Sequence, residues 1–136
     1  MREIKILFRG KRIDNGEWIE GSLLGIDWCD KPSTYSIAPN TPVSVFYSVI
    51  PETVGQYTGL TDKNGVRIFE GDIVSLVKHD GLIYKVVYVP CRYELVNSKG
   101  VNCFVLDIYK SENIEVIGNI HDNPELLGGE NNGINR

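Results

Sequence analysis

Short apolar runs separated by tight-turn signals constrain the fold of this chain more than any other feature. Asp14-Asn15-Gly16 separates two alternating runs, residues 3–9 and 17–24, and Asn and Gly tolerate the positive φ that a hairpin turn requires. A second pair, Asn64-Gly65, and a turn at residues 97–100 follow farther along the chain. The sequence therefore predicts antiparallel strands joined by hairpins, with the first two runs paired.

The apolar composition indicates the same fold class. Val and Ile together account for 29 residues, whereas Leu occurs ten times and Ala once. Because β-branched side chains suit a pleated sheet and Ala and Leu favour helices, we expect a mostly β protein.

Further strands are predicted wherever apolar residues recur between turns. The run at residues 82–89 is apolar on both faces apart from Lys85, so we expect it to be the central strand of a sheet. Residues 123–128 predict a short helix, since Asn, Pro and Gly suit its N-cap, first position and end. The other expected elements are a helical turn at 107–112 and strands at 35–38, 43–50, 66–69, 73–78, 92–96, 101–106 and 114–120.

The order of the elements after Glu70 is typical of an SH3-like barrel, with short strands and a single helical turn before the last strand. Such strands need closure to remove their edges. We therefore predict an N-terminal β meander lobe at residues 1–55 that packs on an SH3-like small β-barrel lobe at residues 56–128, which ends in the short helix. The Gly- and Asn-rich residues 129–136 are predicted to be a disordered tail.

Charge and cysteine content indicate which partners and which cellular compartment to expect. The net charge of −4 argues against a general electrostatic nucleic-acid binder and against binding to anionic membranes. No apolar run approaches the roughly 20 residues of a transmembrane helix, and the N-terminus lacks the features of a signal peptide. Cys29, Cys91 and Cys103 show no CxxC spacing, which favours reduced thiols, and we expect a cytoplasmic protein.

Several blocks of the sequence resemble the signatures of the YopX family. Residues 56–65 (QYTGLTDKNG) and 68–74 (IFEGDIV) resemble its central signature, and residues 115–126 (EVIGNIHDNPEL) resemble its C-terminal signature. Residues 2–5 (REIK) and 8–10 (FRG) resemble its start. The resemblance implies a small β-rich protein that bacteriophages and prophages encode and that resides in the cytoplasm of the bacterial host. It implies no particular activity.

The residues of the central signature have two explanations. Tyr57-Thr58-Gly59, Asn64-Gly65 and Gly71-Asp72 can be turns and bulges that define the fold, with glycines in conformations that other residues resist. We favour this explanation, because turn chemistry accounts for most of the residue types. In the alternative, a ligand groove is lined by Tyr57, Thr58, Asp62, Lys63, Glu70 and Asp72.

Basic residues cluster near the N-terminus of this acidic chain, and Trp18 lies across the predicted turn from them. The cluster consists of Arg2, Lys5, Arg9, Lys11 and Arg12. Small barrels bind nucleic acids with an aromatic face flanked by basic residues, although the net charge favours a solvated strand face. Trp18 and Trp28 are expected either in the core or as anchors of a protein interface, where Trp is enriched.

Catalytic chemistry has little support in the sequence. His79 and His121 each precede an aspartate, but adjacent strand residues point to opposite faces, and we interpret both as solvated loop histidines. A nucleophilic dyad of Cys91 or Cys103 with His121 has no local motif to support it. Two His and three scattered Cys do not make a zinc site, and no nucleotide-binding glycine motif occurs. We therefore expect neither a metal nor a cofactor.

Three functions follow, in order of preference. The first is a noncatalytic module that binds a host or phage protein and forms a homo-oligomer, with peptide addition to a sheet edge as its mode. The second is a nucleic-acid-associated protein that uses the basic cluster, and the third is an enzyme, which would require His121 near a cysteine or two carboxylates in a cleft. The binding residues predicted for the first function are Trp18, Trp28, Tyr57, Thr58, Asp62 and Lys63.

Overall fold

The computed structural model describes residues 6–26, 34–77, 82–107 and 112–127. Within them, eleven strands form two antiparallel sheets, which confirms the prediction of a mostly β protein. None of the described helical segments has the length and apolar character that a bilayer crossing requires. The strands are β1 (Phe8–Lys11), β2 (Trp18–Ile26), β3 (Thr34–Ala38), β4 (Tyr47–Val49), β5 (Gly55–Thr61), β6 (Arg67–Phe69), β7 (Asp72–Leu76), β8 (Leu82–Val89), β9 (Arg92–Val96), β10 (Asn102–Val105) and β11 (Ile114–Asn119), with 3-10 turns at Pro51–Thr53 and Pro124–Leu126.

The chain divides inside β5 into two units, Met1–Tyr57 and Thr58–Arg136. In hydrogen-bonded order, the first sheet is β4-β3-β2-β1-β5-β6 and the second sheet is β10-β9-β8-β7-β11. The lobes predicted at residues 1–55 and 56–128 stay predictions. The predicted tail at residues 129–136 lies outside the described residues.

The first unit is built on the predicted hairpin of β1 and β2. These strands pair antiparallel, with Lys11 directly opposite Trp18. The loop between them is longer than a two-residue turn, because its closing bond runs from Arg12 N to Glu17 O at 2.9 Å. Gly16 ends this loop with a φ of 73°, the conformation for which the Asn-Gly signal selects.

β4 returns to the end of β1 and encloses a small core. Arg12 and Val49 form an isolated antiparallel bridge, and Ile13 N donates to Ser48 O at 3.0 Å. The side chains of Ile37 and Val49 beneath this return are buried. The core of the first unit is therefore closed by backbone pairing between strands that are distant in sequence.

Two glycines allow the strands of the first unit to approach one another. A Cβ at Gly21 of β2 would lie 2.1 Å from the carbonyl oxygen of Ala38. A Cβ at Gly10 of β1 would lie 3.1 Å from Val49 Cβ. Since no side chain fits at Gly21 without moving backbone, this strand spacing depends on glycine.

The second unit has its core on one face of the β10-β9-β8-β7-β11 sheet. Val74 lies opposite Tyr84, and Val86 lies opposite Leu95, so all four side chains share that face. β8 is the middle strand, which confirms the central position predicted for residues 82–89. The buried members of this core are Ile68, Val74, Leu76, Tyr84, Val86, Leu95, Leu106 and Ile114.

Some predicted elements differ from the structure. In the described residues, β10 and β11 end the second sheet without pairing, so the SH3-like barrel is not confirmed. The helix predicted at 123–128 is not confirmed either; a single 3-10 turn lies there, since Asn123 Oδ1 accepts the N–H of Asn119 and provides no cap. The strand predicted at 43–50 pairs only over Tyr47–Val49, and the turn predicted at 107–112 falls mostly outside the described residues.

The outer edge of β11 is covered by the turn that follows β5. Lys63 N donates to Ile114 O at 2.9 Å, and Val116 N donates to Asp62 Oδ2 at 2.9 Å. Asp62 Oδ1 accepts two further N–H groups within its own turn. The buried carboxylate therefore closes a turn and occupies a sheet edge at once, which blocks strand addition there.

We expect Asp62→Ala to lower the free energy of unfolding by about 3 kcal/mol, because a buried N–H that loses its acceptor costs roughly 1–3 kcal/mol. Urea denaturation measures this change. Lys63→Ala is the matched control, since it removes an exposed side chain and keeps the backbone bond to Ile114; it should cost less than about 0.5 kcal/mol. Equal stability of the two variants would contradict the role of the carboxylate.

Candidate functional site

One face of β1 carries cationic and aromatic side chains from the predicted basic cluster. Arg9 and Lys11 lie on the same side of the strand, and Trp18 of β2 lies opposite Lys11. Arg9 Cζ is 4.8 Å from the centroid of the Trp18 ring, and Lys11 Nζ is 5.6 Å from it. Both cations are thus within cation–π distance of one aromatic ring.

The same face continues through two exposed isoleucines. Because Arg12 bridges to Val49, the neighbours Lys11 and Ile13 lie on the other side of the strand, with Ile50 opposite Lys11. Ile13 is 62% exposed and Ile50 is 37% exposed. We call this surface the β1 face; it consists of Arg9, Lys11, Ile13, Trp18 and Ile50.

Arg12 lies on the opposite side of the sheet, where it contacts Tyr47 and Asp14. Its Cζ is 4.0 Å from the centroid of the Tyr47 ring, and its Nε and Nη2 donate to the Asp14 carboxylate at 2.9 and 2.7 Å. This hydrogen-bonded pair raises the pKa of the Arg12 guanidinium and lowers the pKa of the Asp14 carboxyl. The predicted basic cluster is therefore divided between two faces.

Acidic residues also limit the positive charge around the β1 face. Glu20 lies directly opposite Arg9 in the β1–β2 pairing. Arg2 and Lys5, the other members of the predicted cluster, lie outside the described residues, as does Trp28. In the part of the chain that the structure describes, the β1 face is a mixed cationic, aromatic and aliphatic surface.

The predicted binding residues of the central signature lie in a strand and in the turn after it. Tyr57 is half-buried in β5, and Thr58 Oγ1 donates to Ile68 O at 2.7 Å. Asp62 is buried and holds the turn that covers β11, whereas the side chain of Lys63 is exposed. The polar atoms of Thr58 and Asp62 therefore bind backbone groups of the fold.

The glycines of this signature adopt the conformations that were expected of them. Gly59, Gly65 and Gly71 have φ values of 89°, 81° and 91°, which confirms positive φ at each. Asp72 is fully buried, and its Oδ2 accepts the N–H of Phe69 at 2.7 Å. Turn and bulge formation accounts for these contacts.

His121 lies beside Gly71, where a Cβ would be 3.9 Å from His121 Nε2. Glu70 precedes Gly71 in the chain, and its charge adds to burial in raising the pKa of the Tyr93 phenol. Cys91 is exposed at the turn between β8 and β9, whereas His79 lies outside the described residues. Across the described ranges, no group of three or more His, Cys, Asp or Glu side chains is placed to hold a metal ion.

Sequence reasoning missed the aliphatic half of the β1 face. Ile13 and Ile50 come together through the bridge between Arg12 and Val49. No local sequence pattern predicts this bridge. Sequence reasoning also missed Tyr47, which contacts Arg12 from β4. Only the pairing of β4 with β1 relates these positions.

Comparison with known proteins identifies relatives of this chain. A family model described as "YopX protein" matches residues 7–128. Among solved structures, the chain is similar to protein EF1440 from Enterococcus faecalis, with a TM-score of 0.56 and 24% identity over 93% of this chain and 100% of that chain. This likeness concerns the fold. No curated protein matches the chain significantly.

We expect Asp14 to titrate below an ordinary aspartate and Arg12→Gln to raise its pKa towards the ordinary value, as measured by NMR of the carboxyl carbon. The hydrogen bond from Arg12 is the main cause of the lowered pKa. Because the folded-state pKa is lowered, the stabilisation by this pair is present above the unfolded-state pKa and is lost as pH falls through the folded-state pKa. Lys11→Gln is the control that leaves the pair intact. An Asp14 titration unchanged by Arg12→Gln would refute the assignment.

Proposed function

The chain belongs to the YopX family, and we propose that it is a noncatalytic protein-binding module. The observation that carries this proposal is the β1 face, where Trp18 with its two cations adjoins the exposed Ile13 and Ile50. Trp and Arg are enriched among the residues that dominate binding energy at protein interfaces. Exposed aliphatic side chains beside them provide apolar area for a partner to bury.

The proposed contact is made by side chains rather than by strand addition. β1 is paired with β2 on one side and with β5 on the other, so a partner strand has no free edge at the β1 face. In the second unit, Asp62 and Lys63 cover the outer edge of β11. Within the described residues, β10 is the end strand of that sheet and the candidate for the edge addition that the sequence predicts.

The proposed partner is a host or phage protein in the cytoplasm of a bacterial host. The charge on Lys11 favours a partner that presents a carboxylate beside apolar side chains. A second copy of the chain is the other form of protein partner, and light scattering of the purified protein measures that association. In either form, binding would bury Ile13 and Ile50.

A nucleic-acid-associated function is the second candidate, and it rests on the two cations at Trp18. Glu20 lies opposite Arg9, and the net charge of −4 opposes approach to a phosphate backbone. The cations at Trp18 also leave less of its ring for a stacked base. These observations support protein binding as the preferred proposal.

We expect tagged protein to capture its partner from bacterial lysate and Ile13→Asp or Lys11→Glu to reduce that capture at least tenfold. Both substitutions place a carboxylate on the β1 face. Burying this carboxylate against a partner costs hydration energy, and its charge repels a partner that carries carboxylates. Mass spectrometry with and without nuclease identifies and quantifies the captured protein. Val101→Asp is the matched control, because Val101 is an exposed apolar residue of the second unit. This variant should capture as much partner as the wild-type protein does.

Each outcome of this capture experiment has a defined meaning. Equal capture by Ile13→Asp, Lys11→Glu and wild type would contradict the β1 face as the interface. Capture that is abolished by nuclease would support the nucleic-acid-associated function instead. Binding to single-stranded DNA or RNA should then fall steeply with salt. Circular dichroism of each variant confirms that the fold is retained.

A further inference from the structure

The second unit contains a groove of about 510 Å³ that the proposed function does not use. Its lining comes from three separate places in the chain: the start of β8, the turn after β9 and the 3-10 turn after β11. The lining includes Leu82, Tyr84, Asn97, Ser98, Leu126 and Leu127. This volume falls within the roughly 300–1,000 Å³ of typical small-molecule sites.

The described residues of the groove lining favour a neutral ligand. Charged residues make up 24% of the chain, yet none of the described residues that line the groove is charged. An ion that leaves water for such a lining would lose its hydration without gaining a counter-charge. An uncharged and largely apolar molecule would instead bury surface against Leu82, Leu126 and Leu127.

Asn97 and Ser98 supply polar groups at the rim of this apolar lining. Asn97 Oδ1 accepts the N–H groups of Lys99 and Val101 at 2.9 and 3.0 Å. These two bonds set the orientation of the amide and leave its NH₂ group to donate. With the Ser98 hydroxyl beside it, the rim suits a ligand that carries a hydrogen-bond acceptor such as a carbonyl.

The groove lies beyond the point where β8 stops pairing with β9. β8 pairs with β9 from Lys85 onward, opposite Val96, whereas Leu82 and Tyr84 in the lining pair with β7. The space beside this part of β8 is therefore bounded by the turn after β9 and by the 3-10 turn after β11. Its volume of about 510 Å³ suits a small molecule.

The C-terminal signature holds the wall that Leu126 and Leu127 form. Asn123 N donates to Asn119 O at 2.9 Å, and Asn123 Oδ1 accepts from Asn119 N at 3.2 Å. Leu126 N donates to Asn123 O at 3.1 Å. Gly118 leaves the space for this arrangement, since a Cβ there would lie 2.6 Å from Asn123 Oδ1. The signature residues thereby attach the 3-10 turn to the end of β11.

We propose that this groove binds an uncharged, mainly apolar small molecule with a hydrogen-bond acceptor, and that the C-terminal signature positions the groove wall. Asn97 and Ser98 donate to the acceptor, and the leucines contact the apolar body of the molecule. The groove is a site other than the β1 face, and ligand binding in it does not depend on protein binding at the β1 face.

Prodan, a neutral naphthyl ketone with solvent-sensitive fluorescence, is the probe for this site, and dimethylaminonaphthoate is its carboxylate analogue. We expect Prodan to bind the full chain with blue-shifted emission and the naphthoate to bind at least tenfold more weakly. Ser98→Trp fills the groove from an exposed turn position and should weaken Prodan binding at least tenfold. Ser48→Trp, the same substitution at an exposed site of the first unit, should leave it unchanged.

Three results would overturn the proposal: absence of Prodan binding, equal binding by Ser98→Trp and wild type, or naphthoate binding as tight as that of the ketone. Gly118→Ala tests the role of the signature, because its Cβ displaces Asn123 and with it the wall. A folded Gly118→Ala variant with wild-type affinity for Prodan would remove the positioning role. Circular dichroism and amide NMR spectra establish folding for every variant, so the Ser98→Trp result decides the site even if Gly118→Ala unfolds.

Discussion

A single buried carboxylate organises much of the second unit. Asp62 accepts backbone N–H groups from its own turn and from Val116, which lies 54 residues farther along the chain. Inside a protein such bonds are strong and their loss is costly, because the donors have no water to replace the acceptor. The same carboxylate fixes the position of β11, from whose end the C-terminal signature extends. The turn, the sheet edge and the groove wall are consequently linked through one side chain.

Much of the fold is predictable from local patterns. Asp14-Asn15-Gly16 predicts the hairpin of β1 and β2, and a run that is apolar on both faces predicts the central position of β8. Barrel closure is not predictable in this way, because it depends on whether two distant edges meet. At residues 123–128 the residue types suit a helix, but Asn123 binds Asn119 instead of capping one. Non-local competition for the same polar groups therefore limits what local signals predict.

The candidate sites show the same limit. Alternation along β1 and the hairpin turn suffice to place Arg9 and Lys11 near Trp18. Alternation also separates Arg12 from them, although the sequence alone suggested one basic cluster. Ile50 joins this surface only through the return of β4, and the groove combines three segments that no short motif connects. Surfaces assembled from distant strands thus require the register of the pairing as well as the pattern of each strand.

The position of the division within β5 has a consequence for dissecting the protein. Gly55 and Gln56 pair with β1, while Thr58 bonds to Ile68 in the second unit. A gene split at residue 57 would give two polypeptides that each carry half of a strand, with unmatched backbone groups at the new end. Fragments intended for separate expression should therefore both encode the whole of β5. The duplicated segment would give each product an intact β5, while β6, the end strand of the first sheet, would remain on the C-terminal product.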